Sequence, residues 1–289
     1  MSLSNDRISL LKYYLSIFKR SKQGVIGLFI IIVFMLLAIS APLLTPYDPL
    51  KLGSPDELLT PPSLTHILGT DDLGRDIFAQ LIYGSRVSLL VGFSAAFISI
   101  TLGSIIGLIA GYVGGLVDEL LMRMTDIVMV LPALPLMIVL SALLGRSLVN
   151  IIIVISIVGW PYSARVIRSQ VLSIKERPFI EAARCIGAGR FRIIFREIFP
   201  NVIPLMIAEG VLYIASAIYS EAVLSFLGLG DPMNISWGMM LNFAFSSGVI
   251  AYAWWWVLPP GLSIGFIILG FALLGNAINE ILNPRSRLF

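Results

Sequence analysis

The sequence predicts an all-α integral membrane protein with six transmembrane helices and both termini in the cytoplasm. Three observations carry this. Of the 289 residues, 57% are apolar and only 13% charged, about half the charged share of a soluble domain. So few polar residues cannot cover a water-facing surface of this size, so lipid must be the solvent for much of the chain. The apolar residues are gathered into six runs near 24–44, 86–110, 121–144, 148–169, 202–226 and 251–275, each close to the roughly 20 residues that cross a hydrocarbon core. Charge then sets the orientation. With a cytoplasmic N-terminus, 16 of the 20 Lys and Arg residues fall inside, and only Lys51, Arg75, Arg86 and Arg146 fall outside. The opposite orientation inverts that ratio against the positive-inside rule.

The elements follow in order. Residues 1–23 place Ile8, Leu11, Leu15 and Phe18 at helical spacing among Lys12, Lys19, Arg20 and Lys22, which predicts a cytoplasmic amphipathic segment on the membrane surface. The transmembrane domain is expected to occupy 24–289. Its first run is too long and starts too late for a signal peptide, so it is expected to be retained. Residues 45–85 form an external loop, punctuated by Pro46, Pro49, Pro55, Pro61 and Pro62. In the second run, Gly103, Gly107 and Gly111 share one helix face, a surface that lets a neighbouring helix approach closely. Pro132 and Pro135 in the third run and Pro161 in the fourth predict kinks. The Trp254-Trp255-Trp256 cluster reads as an interfacial belt at the outer end of the sixth run.

Residues 170–201 form a cytoplasmic loop with an organisation of its own. Eight Arg and Lys residues lie between Arg165 and Arg196. Arg177-Pro178 should end the preceding helix and start a new one. Glu181 falls early in that helix, where a carboxylate suits the positive end of the dipole. Ala182 and Ala183 keep one face small, and Gly187 supplies the stop. From Arg190, the residues Phe191, Ile194, Phe195 and Ile198 recur at i, i+3, i+4 and i+7, which predicts a second amphipathic helix turning at a Pro200 corner. Tethered between two spans, the arginines are explained by lipid phosphates and by topology, so no nucleic acid is expected as a partner. On physical grounds a docking surface for another protein and an inert loop both remain open.

Covalent chemistry is not indicated. The single His66 and the single Cys185 leave no metal cluster, disulfide or His-based catalytic group. His66 reads as an ordinary loop residue and Cys185 as a small packing residue. No G-x-x-x-x-G-K-[ST] phosphate loop is present, so the chain has no catalytic residue and no cofactor of its own. Glu209 and Glu221 lie in the fifth run, where a charge is costly and faces a cavity or a partner. Both are candidates to line a translocation path, and Glu221 is also a candidate to bind a neighbouring helix. Arg123 and Asp126 are expected to pair on one helix face.

The stretch Glu181-Ala182-Ala183, then Gly187, then Ile198-Phe199-Pro200 resembles the "EAA" loop of ABC importer permeases, whose pattern is E-A-A-x3-G closing on I-x-L-P. Phe199 and Glu197 depart from that pattern. Leu68-Gly69-Thr70-Asp71-Asp72-Leu73-Gly74-Arg75-Asp76, Tyr83-Gly84-Ser85-Arg86, Gly111-Tyr112-Val113-Gly114-Gly115, Phe226-Leu227-Gly228-Leu229-Gly230 and Trp237-Gly238 resemble the dipeptide/oligopeptide/nickel subfamily, its C-type subunit above all. The resemblance implies a type I importer fold in the inner (plasma) membrane and a heterodimer with a companion permease. It also implies two cytoplasmic ATPase subunits that bind ATP and Mg, and an extracytoplasmic substrate-binding protein. Glu181, Ala182, Ala183 and Gly187 would couple the chain to the ATPase. Peptides are the substrate that the resemblance implies first, with nickel or oligosaccharides as the alternative. An ion-coupled secondary transporter is the rival class, and no internal repeat supports it.

Overall fold

The computed structural model describes residues 17–249 and 251–282. Most of the expected amphipathic segment (residues 1–16), together with Arg285 and Arg287, lies outside the described residues. The described residues form a helical stretch at 17–20, nine longer helices and a short 3-10 turn at Pro55–Glu57. They are α1 (Lys22–Leu44), α2 (Ile77–Val113), α3 (Gly115–Val130), α4 (Ala133–Leu144), α5 (Leu148–Lys175), α6 (Pro178–Cys185), α7 (Arg190–Phe226), α8 (Trp237–Ser246) and α9 (Trp254–Leu282). Five of them, α1, α2, α5, α7 and α9, are long and apolar enough to cross a membrane, and the bent pair α3–α4 makes a sixth span if counted as one.

Local chemistry sets where the helices begin and break. Ser21 caps α1 by accepting a hydrogen bond from the Gly24 amide at 3.2 Å. Asp76 caps α2 through the Ala79 amide at 2.6 Å, so the external loop ends at Asp76 rather than near residue 85. The first turns of α2 hold Gln80, Tyr83 and Arg86, which conceal a helix from hydropathy while Ile77, Ala79 and Ile82 are buried. The third span is broken, not kinked. α3 and α4 meet at 89° because Pro132 pushes Leu131 into extended backbone (φ −74°, ψ 135°) and cannot donate a helical hydrogen bond itself. α5, in contrast, runs through Pro161 as one helix.

The loop after α6 also differs from expectation. No corner forms at Pro200. The chain widens into a π-helical turn over Ile193–Ile198 and continues as helix to Phe226. The missing Pro200 amide and its ring are accommodated by that local widening. The inward residues are therefore Ile193 and Ile198, while Phe191 and Phe195 face out.

The bundle is held by a close helix seam. A Cβ on Gly103 would stand 2.6 Å from the Trp160 carbonyl oxygen, and one on Gly107 2.5 Å from that of Ala164. At Gly111 it would meet the Val171 Cβ at 2.8 Å. The contacts advance in the same direction on both helices, so α2 and α5 lie parallel along a glycine face, as the Gly-x-x-x-Gly spacing predicts. Two ion pairs tie the broken span to this seam. Arg168 grips Asp118 with Nε and Nη2 at 2.5 and 2.6 Å, and Arg165 reaches Asp126 at 2.6 Å.

The external end is a closed polar cap. Asp71 is fully buried and accepts from Arg75 Nε and Gln80 Nε2 at 2.6 Å each, and from the amides of Leu73 and Arg75 at 2.9 Å. Arg75 also lies 4.9 Å over the Phe243 ring of α8. His66, expected to be an ordinary loop residue, is buried with its Nδ1 2.8 Å from Asp76 Oδ2 and its ring beside Tyr47. The backbone and side chain of Ser54, hydrogen-bonded to Glu57, hold that carboxyl below its usual range. Burial, then the charge of Asp71, pushes the Asp72 carboxyl up.

The tryptophans belong to this cap as much as to a belt. Trp254 is 59% exposed, but Trp256 is fully buried and Trp255 Nε1 reaches the Thr70 carbonyl at 3.4 Å. Trp237 donates to the Leu81 carbonyl at 2.9 Å, joining α8 to α2.

Candidate functional site

Two features stand apart from this close packing: the elbow at α6 and a cavity at mid-bundle. In the elbow, Arg177 is extended (φ −82°, ψ 144°) and Pro178 opens α6, with Glu181 in its first turn. The helix stops where Gly187 adopts φ +77°. The Ala188 amide returns to the Ala183 carbonyl and the Gly187 amide to that of Arg184, both at 3.0 Å, the paired bonds of a left-handed C-cap.

The two faces of α6 differ. Ile180 is fully buried and Ala183 nearly so, in a cluster with Ile167, Val171 and Ile174 of α5, Ile193, Ile198 and Val202 of α7, and Leu108 and Tyr112 of α2. Outward stand Glu181, Ala182, Arg184, Cys185 and Gly187, all exposed, and Ile186 at 78% exposure. A Cβ on Gly187 would meet nothing within 4 Å, so glycine is needed there for its backbone angle and not for space in this chain. The structure thus keeps Glu181, Ala182 and Gly187 together on one open face and turns Ala183 inward as part of the support. Cys185 is exposed, not packed.

The cavity, about 610 Å³, opens where α3 breaks from α4, against α5 and α7. Its walls are apolar at Ile100, Met129, Val130 and Met137, and polar at Tyr162, Ser163, Glu209, Tyr213, Ser216 and Ser220. Gly159 makes this shape possible: the Tyr213 hydroxyl would lie 1.5 Å from a Cβ there, and it donates to the Ile155 carbonyl at 3.0 Å.

The two carboxylates of α7 have separate surroundings. Glu209 sits nineteen residues after Arg190 and seventeen before Phe226, at the middle of α7, and lines the cavity half-buried. Glu221 lies near the outer end, only 1% exposed, accepting from Ser225 at 2.6 Å and from Ser88 of α2 at 3.2 Å. In this arrangement it joins two helices. Arg123 and Asp126 do not pair. Arg123 faces Glu119 at 3.9 Å and Asp126 faces Arg165, because Arg165 reaches across from α5. Nothing in the sequence flagged Ser163, Tyr213 or the Asp118–Arg168 clamp. The clamp joins residues 50 apart in the chain, a distance no local pattern covers.

Comparison with known proteins places these features in a family. The chain matches the family described as "Binding-protein-dependent transport system inner membrane component" over residues 103–288 and "N-terminal TM domain of oligopeptide transport permease C" over residues 9–62. It is 43% identical to the dipeptide transport system permease protein DppC of Alkalihalophilus pseudofirmus, covering 93% of this chain and 88% of that one. It is 37% identical to the oligopeptide transport system permease protein OppC of Bacillus subtilis, covering 99% and 93%. A solved structure of the MetNI methionine ABC transporter in inward-facing conformations is similar in fold, with a TM-score of 0.57 and 16% identity over 70% of this chain and 96% of that one. The chain belongs to the binding-protein-dependent transport system inner membrane component family and has the fold of a type I ABC importer permease.

Proposed function

We propose that the chain is the C-type permease subunit of an ATP-driven importer of dipeptides or oligopeptides, and that α6 is its docking helix for a cytoplasmic ATPase subunit. The substrate class is supported by the dipeptide and oligopeptide permeases among its relatives. The observation that carries the docking role is the two-faced elbow: Glu181, Ala182 and Gly187 open to solvent, Ile180 and Ala183 locked beneath them. A companion permease completes the path, an external binding protein delivers the substrate, and ATP with Mg is held by the ATPase pair. This chain does no covalent chemistry.

The mechanism follows from what α6 touches. ATP-driven closure of the ATPase pair displaces the docked helix. Its buried underside passes that displacement to α5, α7 and α2 together, because all three meet in one apolar cluster, and packed cores move as units. The Arg168–Asp118 and Arg165–Asp126 pairs extend the link from α5 to the broken span, which walls the cavity. This is coupling between two distinct sites through contacts that differ in two states. On this reading Glu209 lines the transit path, and Glu221 holds α7 against α2 beside it.

The test replaces the open face without touching the support. Ala182→Trp combined with Glu181→Arg should leave the chain in the membrane with its companion permease, while the ATPase subunits no longer co-purify and peptide uptake stops. Uptake at the wild-type rate in that variant would refute the docking role.

A further inference from the structure

We infer that Glu209 is the receiving site, inside the transit cavity, for the positively charged amino end of the substrate, with Ser163 as its hydrogen-bonding neighbour. The inference rests on the import reading above. It starts from a carboxylate within the fifth apolar run that has no cationic or hydrogen-bonding partner among the described residues. The carboxylates of α3 and the other one within the fifth apolar run are answered: Asp118 by Arg168, Asp126 by Arg165, Glu119 by Arg123, and Glu221 by Ser88 and Ser225. An ionisable group inside a membrane protein is costly and faces a partner or a pathway, and Glu209 faces the cavity.

The remaining lining has matching chemistry. Ser163 lines the same cavity, and its buried Oγ has no hydrogen-bond partner among the described residues. Val128 and Leu131 also line it. Their carbonyls lack the usual donor four residues on, because residues 132 and 135 are prolines. Broken helices in transporters present freed carbonyl ends of this kind to cations near the midplane. Among the described residues no Lys, Arg or His lines the cavity. A carboxylate, freed carbonyls and hydroxyls, with no positive charge among them, call for a ligand that brings positive charge and several N–H donors. A primary ammonium brings both, with three donors and no acceptor.

The ammonium is one end of the substrate, so the site also gives a direction to its passage: the charged amino end is held at Glu209 while the apolar walls at Met129, Val130 and Met137 take side chains of any kind. The carboxylate sits beside the α3–α4 break, where a movement of α5 relative to α3 would widen or narrow its surroundings. Binding in one state and release in the other then need no group beyond those already present.

The experiment uses the complete importer (both permeases, the ATPase pair and the binding protein) in proteoliposomes, with radiolabelled trialanine as probe and uptake per ATP hydrolysed as readout. Glu209→Gln should lower that ratio about tenfold, the scale of one lost hydrogen bond to a charged group. Glu209→Asp should recover part of the loss. Ser163→Ala should cost about threefold, as for a neutral hydrogen bond. Yield and co-purification with the companion permease should be unchanged, which separates the effect from misfolding. Replacing Na⁺ by choline should leave wild-type uptake intact, and collapse of uptake in choline would assign the site to a metal cation and overturn the inference. An active wild type with an indifferent Glu209→Gln variant overturns it alone. A wild type with no ATP-driven uptake overturns the import reading beneath it.

Discussion

The external cap and the cytoplasmic elbow are both polar intervals in an apolar chain, but they use their polar groups in opposite ways. The cap closes on itself. Asp71, Arg75, Asp76 and His66 are all buried and bonded to one another or to nearby backbone. The elbow leaves its charges and its small face open and buries only the aliphatic residues beneath them. A polar segment whose charged groups find their partners within the chain is architecture. One whose underside is locked and whose outer face is bare is built for something else to cover. The same contrast separates Glu221, answered by two serines, from Glu209, answered by nothing among the described residues.

Substitutions sharpen this contrast through what they do to the fold. The largest effect belongs to the cap. Asp71→Ala strands the buried Arg75 guanidinium and should cost about 3–5 kcal/mol, as for breaking a buried pair, read as a large drop in the unfolding midpoint of the purified chain in detergent. Gly187→Ala is intermediate. It forces an L side chain into the left-handed region at a cost of about 1–2 kcal/mol, with no clash in the free chain because the space is open. Circular dichroism melts should show a small shift. Glu181→Gln should be the mildest, within about 0.5 kcal/mol for a surface change, yet it should weaken ATPase co-purification. If Glu181→Gln destabilised the fold as much as Asp71→Ala, the distinction between a closed cap and an open elbow would fail.

Acid sharpens it on the cap. The Glu57 carboxyl is held below its ordinary range by Ser54, so its contribution is present at neutral pH and is lost as pH falls through that lowered value. Glu57→Gln should flatten the acid limb of the stability profile there.

Much of this was legible in the residues. The number of apolar runs, the glycine face of α2 and the limits of α6 at Pro178 and Gly187 follow from periodicity and from what proline and glycine do to backbone. The start of α2 was hidden because its first turns are polar and its cap, Asp76, resembles any loop aspartate. α8 was not anticipated: ten residues between two turns are too short to stand out from a long apolar tract. Pro132 announced a disturbance, but a kink and an 89° break look alike in one dimension. The roles of Glu209, Glu221 and His66, and the partners of Arg123 and Asp126, depend on residues from other helices. Arg165 displaced Arg123 from Asp126 by arriving from 39 positions away. Pairings of that kind are fixed only when the bundle forms.

The most direct measurement uses the single cysteine. Cys185 lies exposed on α6, two residues from Gly187, and reports the open face without any engineered residue. Maleimide labelling, read on this chain by peptide mass, should be rapid in the isolated permease and strongly suppressed in the complex with its ATPase subunits. Equal labelling of Cys185 in both would contradict the account, because the face argued to be left bare for a partner would then be bare in the partner's presence.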